Sequence, residues 1–307
     1  MNFDVFILGT SGMMPLPNRF LTSAMVRRNG ELFLFDCGEG NQISLKMLNL
    51  HWKRISSIFI SHMHADHVTG LPGLLMLTSQ VDRTEPLHIY GTKKLKEYIE
   101  FNRKILEMYI NYEIIYHIIS PGIILETDEF TVSAIPLLHS KPCFGFIFEE
   151  KTRPGVFFPQ KAVDLGVPVG EMFGKLQRGE SIQLENGNIV NPKDVMGEPR
   201  VGRKFSYITD SLYLSYLSEY VRNSDLLICE GMFCNDLAAD AAEKKHMTST
   251  QAALIARDAN VKKLALIHYS PRYTEKELQK LGDEAKLIFP NTTLSKDRMI
   301  FNIPLKN

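Results

Sequence analysis

Between residues 61 and 67 the chain reads Ser61-His62-Met63-His64-Ala65-Asp66-His67. Three imidazoles and a carboxylate crowd into six residues of a chain with only nine histidines, so chance grouping in a polar loop explains them poorly. Imidazole nitrogens and carboxylate oxygens with no thiolate beside them suit Zn²⁺, with Mn²⁺ or Fe also compatible. The spacing sets a condition on the backbone. On an extended stretch His62, His64 and Asp66 share one face and His67 points away. A turn beginning near Asp66 is needed to bring His67 back to the others.

Further donors stand where strands should end. His139 follows a strand ending Pro136-Leu137-Leu138, Asp210 closes KFSYITD, and His268 closes LALIH. Loops at strand ends collect at one edge of a sheet and can build a site there. Singly, such a residue more often supports structure than chemistry; as an ordered set they predict one metal site.

The elements that must position these groups follow from apolar patterning. Phe3 to Leu8, Ser23 to Val26 and Leu32 to Phe35 read as short strands, with Arg27 to Gly30 as a hairpin-like link between the last two. Ile58 to Ile60 is a strand running into the histidine motif. Helical spacing appears over Asn41 to Leu50, Leu71 to Ser79 and Lys93 to Leu106, and strands at Leu87 to Tyr90, Phe130 to Leu137 and Phe144 to Phe148. From about Arg153 to Arg203 the chain turns rich in Gly and Pro, with too little apolar periodicity for a core of its own. Strand Phe205 to Thr209, strand Leu226 to Cys229, helix Ser249 to Asp258 and strand Leu264 to Ile267 then resume the pattern. Strands with interleaved helices in two similar halves predict an α/β fold with two sheets flanked by helices, an αββα sandwich. The expected organisation is one domain, 1–307, with an insert at about 153–203.

Bulk properties narrow the class. Hydrophobic residues make up 44% and charged residues 23%, an ordinary globular composition. The formal net charge is zero, with no overall basic bias toward nucleic acid. Cys37, Cys143, Cys229 and Cys234 lack paired spacing and read as small core residues of a reducing compartment. Asp4 and Gly9 interrupt the first apolar run, and no segment has the roughly 18 continuous apolar residues of a membrane span. A cytoplasmic protein is expected, with no membrane partner.

The H-x-H-x-D-H pattern of His62 to His67 resembles the hallmark of the metallo-β-lactamase superfamily. Longer blocks resemble one of its families, ribonuclease Z, the tRNA 3′-processing endoribonucleases: FDCGEGNQ, SHMHADHVTGLPGLL and HMTSTQAALIARDANVKKLALIHYSPRY. The resemblance spans nearly the whole chain. It implies that His62, His64 and His139 hold one zinc ion, that Asp66, His67 and His268 hold a second, and that Asp210 bridges them. Two such ions would activate water and clamp the attacked phosphorus, with Asp66 as general base. Glu230, in CEGM where the family has His-Glu-Ala-Thr, would orient His246, and protonated His246 would donate to the departing 3′ oxygen.

The insert resembles the family's flexible arm, which grips the tRNA elbow and commonly serves the partner's site in a homodimer. Its Gly166, Pro168, Gly170 and Gly174 would let backbone approach phosphate, and Lys175 and Arg178 would add charge. Val169 and Glu171 stand where prolines are common. In Pro15-Leu16-Pro17-Asn18-Arg19-Phe20, Arg19 matches a substrate-binding position of the Pro-x-Lys-x-Arg-Asn loop, which helps reject tRNA already carrying CCA; Pro17 and Phe20 depart from it. The implied function is removal of the 3′ trailer from precursor tRNA. A phosphodiesterase acting on small esters would share the ligand set, and a non-catalytic RNA-binding subunit would share the fold.

Overall fold

The computed structural model describes residues 2–81 and 83–306. Its strands are β1 (Phe3–Gly9), β2 (Ser23–Arg28), β3 (Glu31–Phe35), β4 (Ile55–Phe59), β5 (Leu87–Gly91) and β6 (Ile114–Ile118). There follow β7 (Gly122–Glu126), β8 (Phe130–Pro136), β9 (Phe144–Glu150), β10 (Ile182–Gln183) and β11 (Ile189–Val190). The last are β12 (Lys204–Ile208), β13 (Leu226–Glu230), β14 (Leu264–Ile267), β15 (Thr292–Leu294) and β16 (Ile300–Asn302). One seven-stranded sheet runs β16-β1-β2-β3-β4-β5-β6, a second runs β15-β14-β13-β12-β9-β8-β7.

Inner strands are covered on both faces, which is why they read as unbroken apolar runs rather than alternating ones. In β1, Val5 and Ile7 enter the core between the sheets, while Phe6 and Leu8 face the other way. The inter-sheet core is dominated by rings. Phe35 stacks on Phe59 at 5.0 Å and meets Phe205 edge-on at 5.4 Å, each buried ring contributing about 1.5–3 kcal/mol. The outer face of the first sheet packs on helices Asn41–Met47, Leu71–Ser79 and Lys93–Ile105 through Leu45, Leu74, Leu75 and Leu95. The second packs on Ser249–Asp258 and Glu275–Ile288 through Ala252, Ala256, Leu278 and Leu281. These are the four αββα layers.

Topology decides where the loops gather. β3 to β6 are parallel, and so are β12 to β15. The C-terminal ends of β12, β13 and β14 therefore lie side by side, and Asp210, Glu230 and His268 stand at or just beyond them.

Several elements differ from the sequence expectation. The link after β2 is a two-residue turn, Asn29 and Gly30, both at positive φ (50° and 89°) as a tight hairpin requires. Strands β6, β7, β15 and β16 and the helix Glu275–Ile288 went unread. The strands are short or half-exposed, and β16 pairs with β1 from the far end of the chain, Asp4 opposite Asn302. The largest correction concerns the insert. The chain divides into two compact units, the second comprising Glu150–Arg203 with the C-terminal Leu305 and Lys306. This unit has a small core after all: Ala162, Val167, Leu176, Ile182, Leu184, Val190 and Val195. These come from helices Pro159–Asp164, Glu171–Gln177 and Pro192–Val195 and the β10–β11 hairpin, each too short to show a period in sequence. The pair Arg203–Glu150, at 2.7 Å and nearly solvent-free, lies within the same unit. Among the described residues no helix is long and apolar enough to cross a membrane.

Candidate metal centre

After β4 the chain stays extended to His64 and then enters the short helix Ala65–Val68, with His64 at its N-cap. That helix is the turn the motif needed, and it swings His67 back beside His62, their ring centroids 4.3 Å apart. Potential ligand atoms of His62, His64, His139 and Asp210 lie within 4.8 Å of one another, as do those of Asp66, His67 and His268. All seven residues named from the sequence thus meet in one place.

Three of the rings are held from behind. Ser61 Oγ meets His62 Nδ1 at 3.0 Å, Asp36 Oδ2 meets His67 Nδ1 at 2.8 Å, and the Lys245 carbonyl meets His139 Nδ1 at 3.0 Å. The opposite nitrogens of His62 and His67 are buried with no hydrogen-bond partner. Orienting partners of this kind choose the tautomer that offers a bare nitrogen to an ion. Asp210 divides its carboxylate: Oδ2 lies 3.6 Å from His62 Nε2 and 3.5 Å from His139 Nε2, Oδ1 lies 3.3 Å from His67 Nε2 and 3.1 Å from His268 Nε2.

The electrostatics agree with a cation site. Burial, reinforced by neighbouring imidazoles, pushes His62 down to about 2, and burial takes His139 to about 4, so both rings are neutral ligands. Burial would raise Asp66 and Asp210, yet the surrounding histidines hold both carboxyls below their ordinary range. Against burial, Asp210 and Asp36 keep His67 well above its usual value: the carboxylates demand a positive charge. Buried bare nitrogens, neutral imidazoles and ionised carboxylates are the donor set of a divalent cation.

Beside this cluster Glu230 Oε2 accepts from His246 Nδ1 at 3.0 Å, while Oε1 accepts from the Ser211 amide at 2.6 Å. Burial opposes protonation of His246, but the Glu230 carboxylate overcomes it and raises the ring to about 9. A cleft of about 410 Å³ opens over the cluster, lined by Met13, His246 and Phe233 among others.

Sequence reasoning missed the residues that hold the site together. Asp36 is wholly buried and accepts from the Ser61 amide, Ser61 Oγ, His67 Nδ1 and Tyr207 Oη at 2.8–3.0 Å. The Met13 amide donates to Asp66 Oδ2 at 2.7 Å, and a Cβ at Gly12 would stand 2.8 Å from the His268 ring. Asp36 had one visible sign, its place in FDCGEG; Gly12 and Met13 had none. Arg19, expected at the substrate, has a buried side chain that donates to the Tyr273 carbonyl at 2.7 Å and pairs with Glu275 at 3.4 Å, so it anchors its loop. In the second unit Gly166 and Gly170 hold positive φ (84° and 139°); a Cβ at Gly166 would meet Leu184 Cδ1 at 3.7 Å, one at Gly170 would meet open space, and Pro168 is exposed. Gly174 lies within a helix, and Lys175 and Arg178 are engaged by Glu171 and Glu180.

The chain is 59% identical to "Ribonuclease Z" of Treponema denticola over 307 residues, all of this chain and 99% of the relative. The chain belongs to the ribonuclease Z family. A ribonuclease Z of Borrelia hermsii is 44% identical over 97% of this chain and 96% of its own. Among solved structures, the short form of human tRNase Z matches with a TM-score of 0.71 and 26% identity over 98% of this chain and all of that one. The Bacillus subtilis metallo-β-lactamase fold protein YhfI, 19% identical, shares the fold at a TM-score of 0.69 over 98% of this chain and all of its own. A family model described as "Anti-Pycsar protein Apyc1" matches residues 3–153, the half of the chain that carries the His62–His67 motif. The ribonuclease Z relatives, by contrast, align through the second unit as well.

Proposed function

We propose that the protein is a dizinc endoribonuclease that removes the 3′ trailer from precursor tRNA, leaving a 3′-hydroxyl on the tRNA and a 5′-phosphate on the trailer. The observation that carries this reading is the divided Asp210 carboxylate, one oxygen facing His62 and His139 and the other facing His67 and His268. It supports two ions, one on His62, His64 and His139, the other on Asp66, His67 and His268, with Asp210 between them. When bound, the ions supply Lewis acidity to the attacked phosphate and make water in the site more acidic.

The chain's own groups do the rest. Asp66, steadied by the Met13 amide, orients the attacking water and takes its proton. His246, with Nδ1 tied to Glu230, presents its other nitrogen to the cleft and gives a proton to the departing 3′ oxygen. The second unit, through Gly166, Pro168, Gly170, Gly174, Lys175 and Arg178, is the arm that holds the tRNA body. With both cations already paired, its grip rests more on backbone approach than on charge. The same reading includes a cytoplasmic homodimer in which each arm serves the partner's site.

The test is cleavage of matched precursor tRNAs, with and without encoded CCA, by the wild type and by Asp66→Ala. Cleavage by the wild type alone, at the end of the acceptor stem, is expected. Intact precursor alongside rapid hydrolysis of a small chromogenic diester would instead indicate a phosphodiesterase of the same fold.

A further inference from the structure

One side of the cleft carries positive charge that the cluster does not use. Lys244, Arg272 and Phe233 line the cleft together with His246 and His268. The Phe233 ring is buried, and both cations sit over it, Arg272 at 5.0 Å and Lys244 at 5.7 Å from its centroid. Neither has a carboxylate within 4 Å among the described residues, whereas Arg178, Arg203, Arg222 and Lys280 each have one. An aromatic face attracts a cation without neutralising it. Two like charges drawn to one ring repel each other, and an anion beside them relieves that repulsion. The seat holds the pair in place and leaves its charge available.

Its position says which anion. Phe233 stands 6.2 Å from the His246 ring, and Lys244 precedes His246 by two residues on the same turn. On the endonuclease reading, on which this inference rests, His246 faces the 3′ oxygen of the last nucleotide kept by the tRNA. We infer that Lys244 and Arg272, seated on Phe233, bind the 5′-phosphate of that last retained nucleotide and so place the scissile bond against His246. The ligand is one backbone phosphodiester on the tRNA side of the cut. Arginine and lysine on phosphate fix register without reading sequence, which suits an enzyme that cuts at one point on RNAs of differing sequence.

The test uses the metal-loaded full chain and two versions of one precursor tRNA. One is unmodified; the other carries an uncharged methylphosphonate at that single linkage. Lys244→Ala and Arg272→Ala are each expected to raise KM on unmodified RNA about tenfold, the low end for losing a charged hydrogen bond, with kcat changed less than twofold. The slope of log kcat/KM against log salt should become shallower by about 0.7–0.9, the share of one phosphate. Lys244→Arg should restore most of the loss. On methylphosphonate RNA the wild type should fall to the level of the Lys244→Ala/Arg272→Ala double variant, and that double variant should fall no further. Both side chains are exposed, so truncation spares the core. Losses that multiply when the double variant and methylphosphonate are combined would overturn the assignment. So would a response confined to a methylphosphonate on the trailer side, or an unchanged salt slope. If the wild type leaves unmodified RNA intact, the endonuclease reading itself fails and takes this inference with it.

Discussion

Asp36→Asn should weaken metal binding while leaving the chain folded, by turning over one imidazole. Asp36 sits at φ 55°, a conformation asparagine tolerates, so the backbone has no reason to move. Its carboxylate receives only donors: the Ser61 amide on Oδ1, and Ser61 Oγ, His67 Nδ1 and Tyr207 Oη on Oδ2. An amide has one accepting end. With its oxygen on the Ser61 amide, its NH₂ faces His67 Nδ1, which must then accept rather than donate. His67 is driven to the tautomer with hydrogen on Nε2, the nitrogen that is now bare and 3.3 Å from Asp210. The reversed amide would set NH₂ against the Ser61 amide, a buried donor facing a donor. Either arrangement leaves one group unsatisfied, at about 1–3 kcal/mol. Loss of an orienting partner typically lowers metal affinity about 10–100-fold. Zinc affinity by chelator competition, with metal content by elemental analysis and folding by circular dichroism, checks this. A folded Asp36→Asn protein binding two zinc ions with wild-type affinity would refute the tautomer argument.

Two shorter predictions follow from the same neighbourhood. Gly12→Ala would place a methyl group 2.8 Å from His268 Cε1, so the ring must shift; activity should fall at least about tenfold, with secondary structure unchanged by circular dichroism. Asp297 lies beneath the 12–20 loop, accepting from Thr10 Oγ1 at 2.7 Å and the Phe20 amide at 2.6 Å, and burial raises it from 3.8 to about 6. A carboxyl raised in the folded state stabilises below its unfolded value and loses that contribution as pH rises through about 6. Relative to Asp297→Asn, the wild type should therefore gain about 2–3 kcal/mol between pH 7 and pH 4, read from denaturant midpoints; parallel pH profiles for the two proteins would contradict it.

The inner strands of the two sheets were legible because both faces of each are buried, leaving apolar runs such as Phe3 to Leu8 that hardly depend on what covers them; the edge strands β6, β7, β15 and β16, short or half-exposed, left no such run. The donors were legible because metal chemistry restricts residue types: His62 to His67 on one short stretch, then His139, Asp210 and His268 where strands end. The second unit was misread, since a core assembled from two- to seven-residue elements has no period to detect. The partners of Arg19, the Tyr273 carbonyl and Glu275, were not legible, because a motif position tells which residue is present, not which way its side chain points.

By itself the sequence determined which groups could bind a cation and the order in which strands deliver them. Only the tertiary structure decided which atom each group offers. His268 reaches Asp66 across 202 residues, and Tyr207 reaches Asp36 across 171. The choice between Nδ1 and Nε2 is a local hydrogen-bond competition, settled by Asp36, Ser61 and the Lys245 carbonyl once the parallel strands have set their ends side by side. Tautomer and charge respond to neighbours within a few ångströms, and those neighbours are assigned by packing rather than by position along the chain.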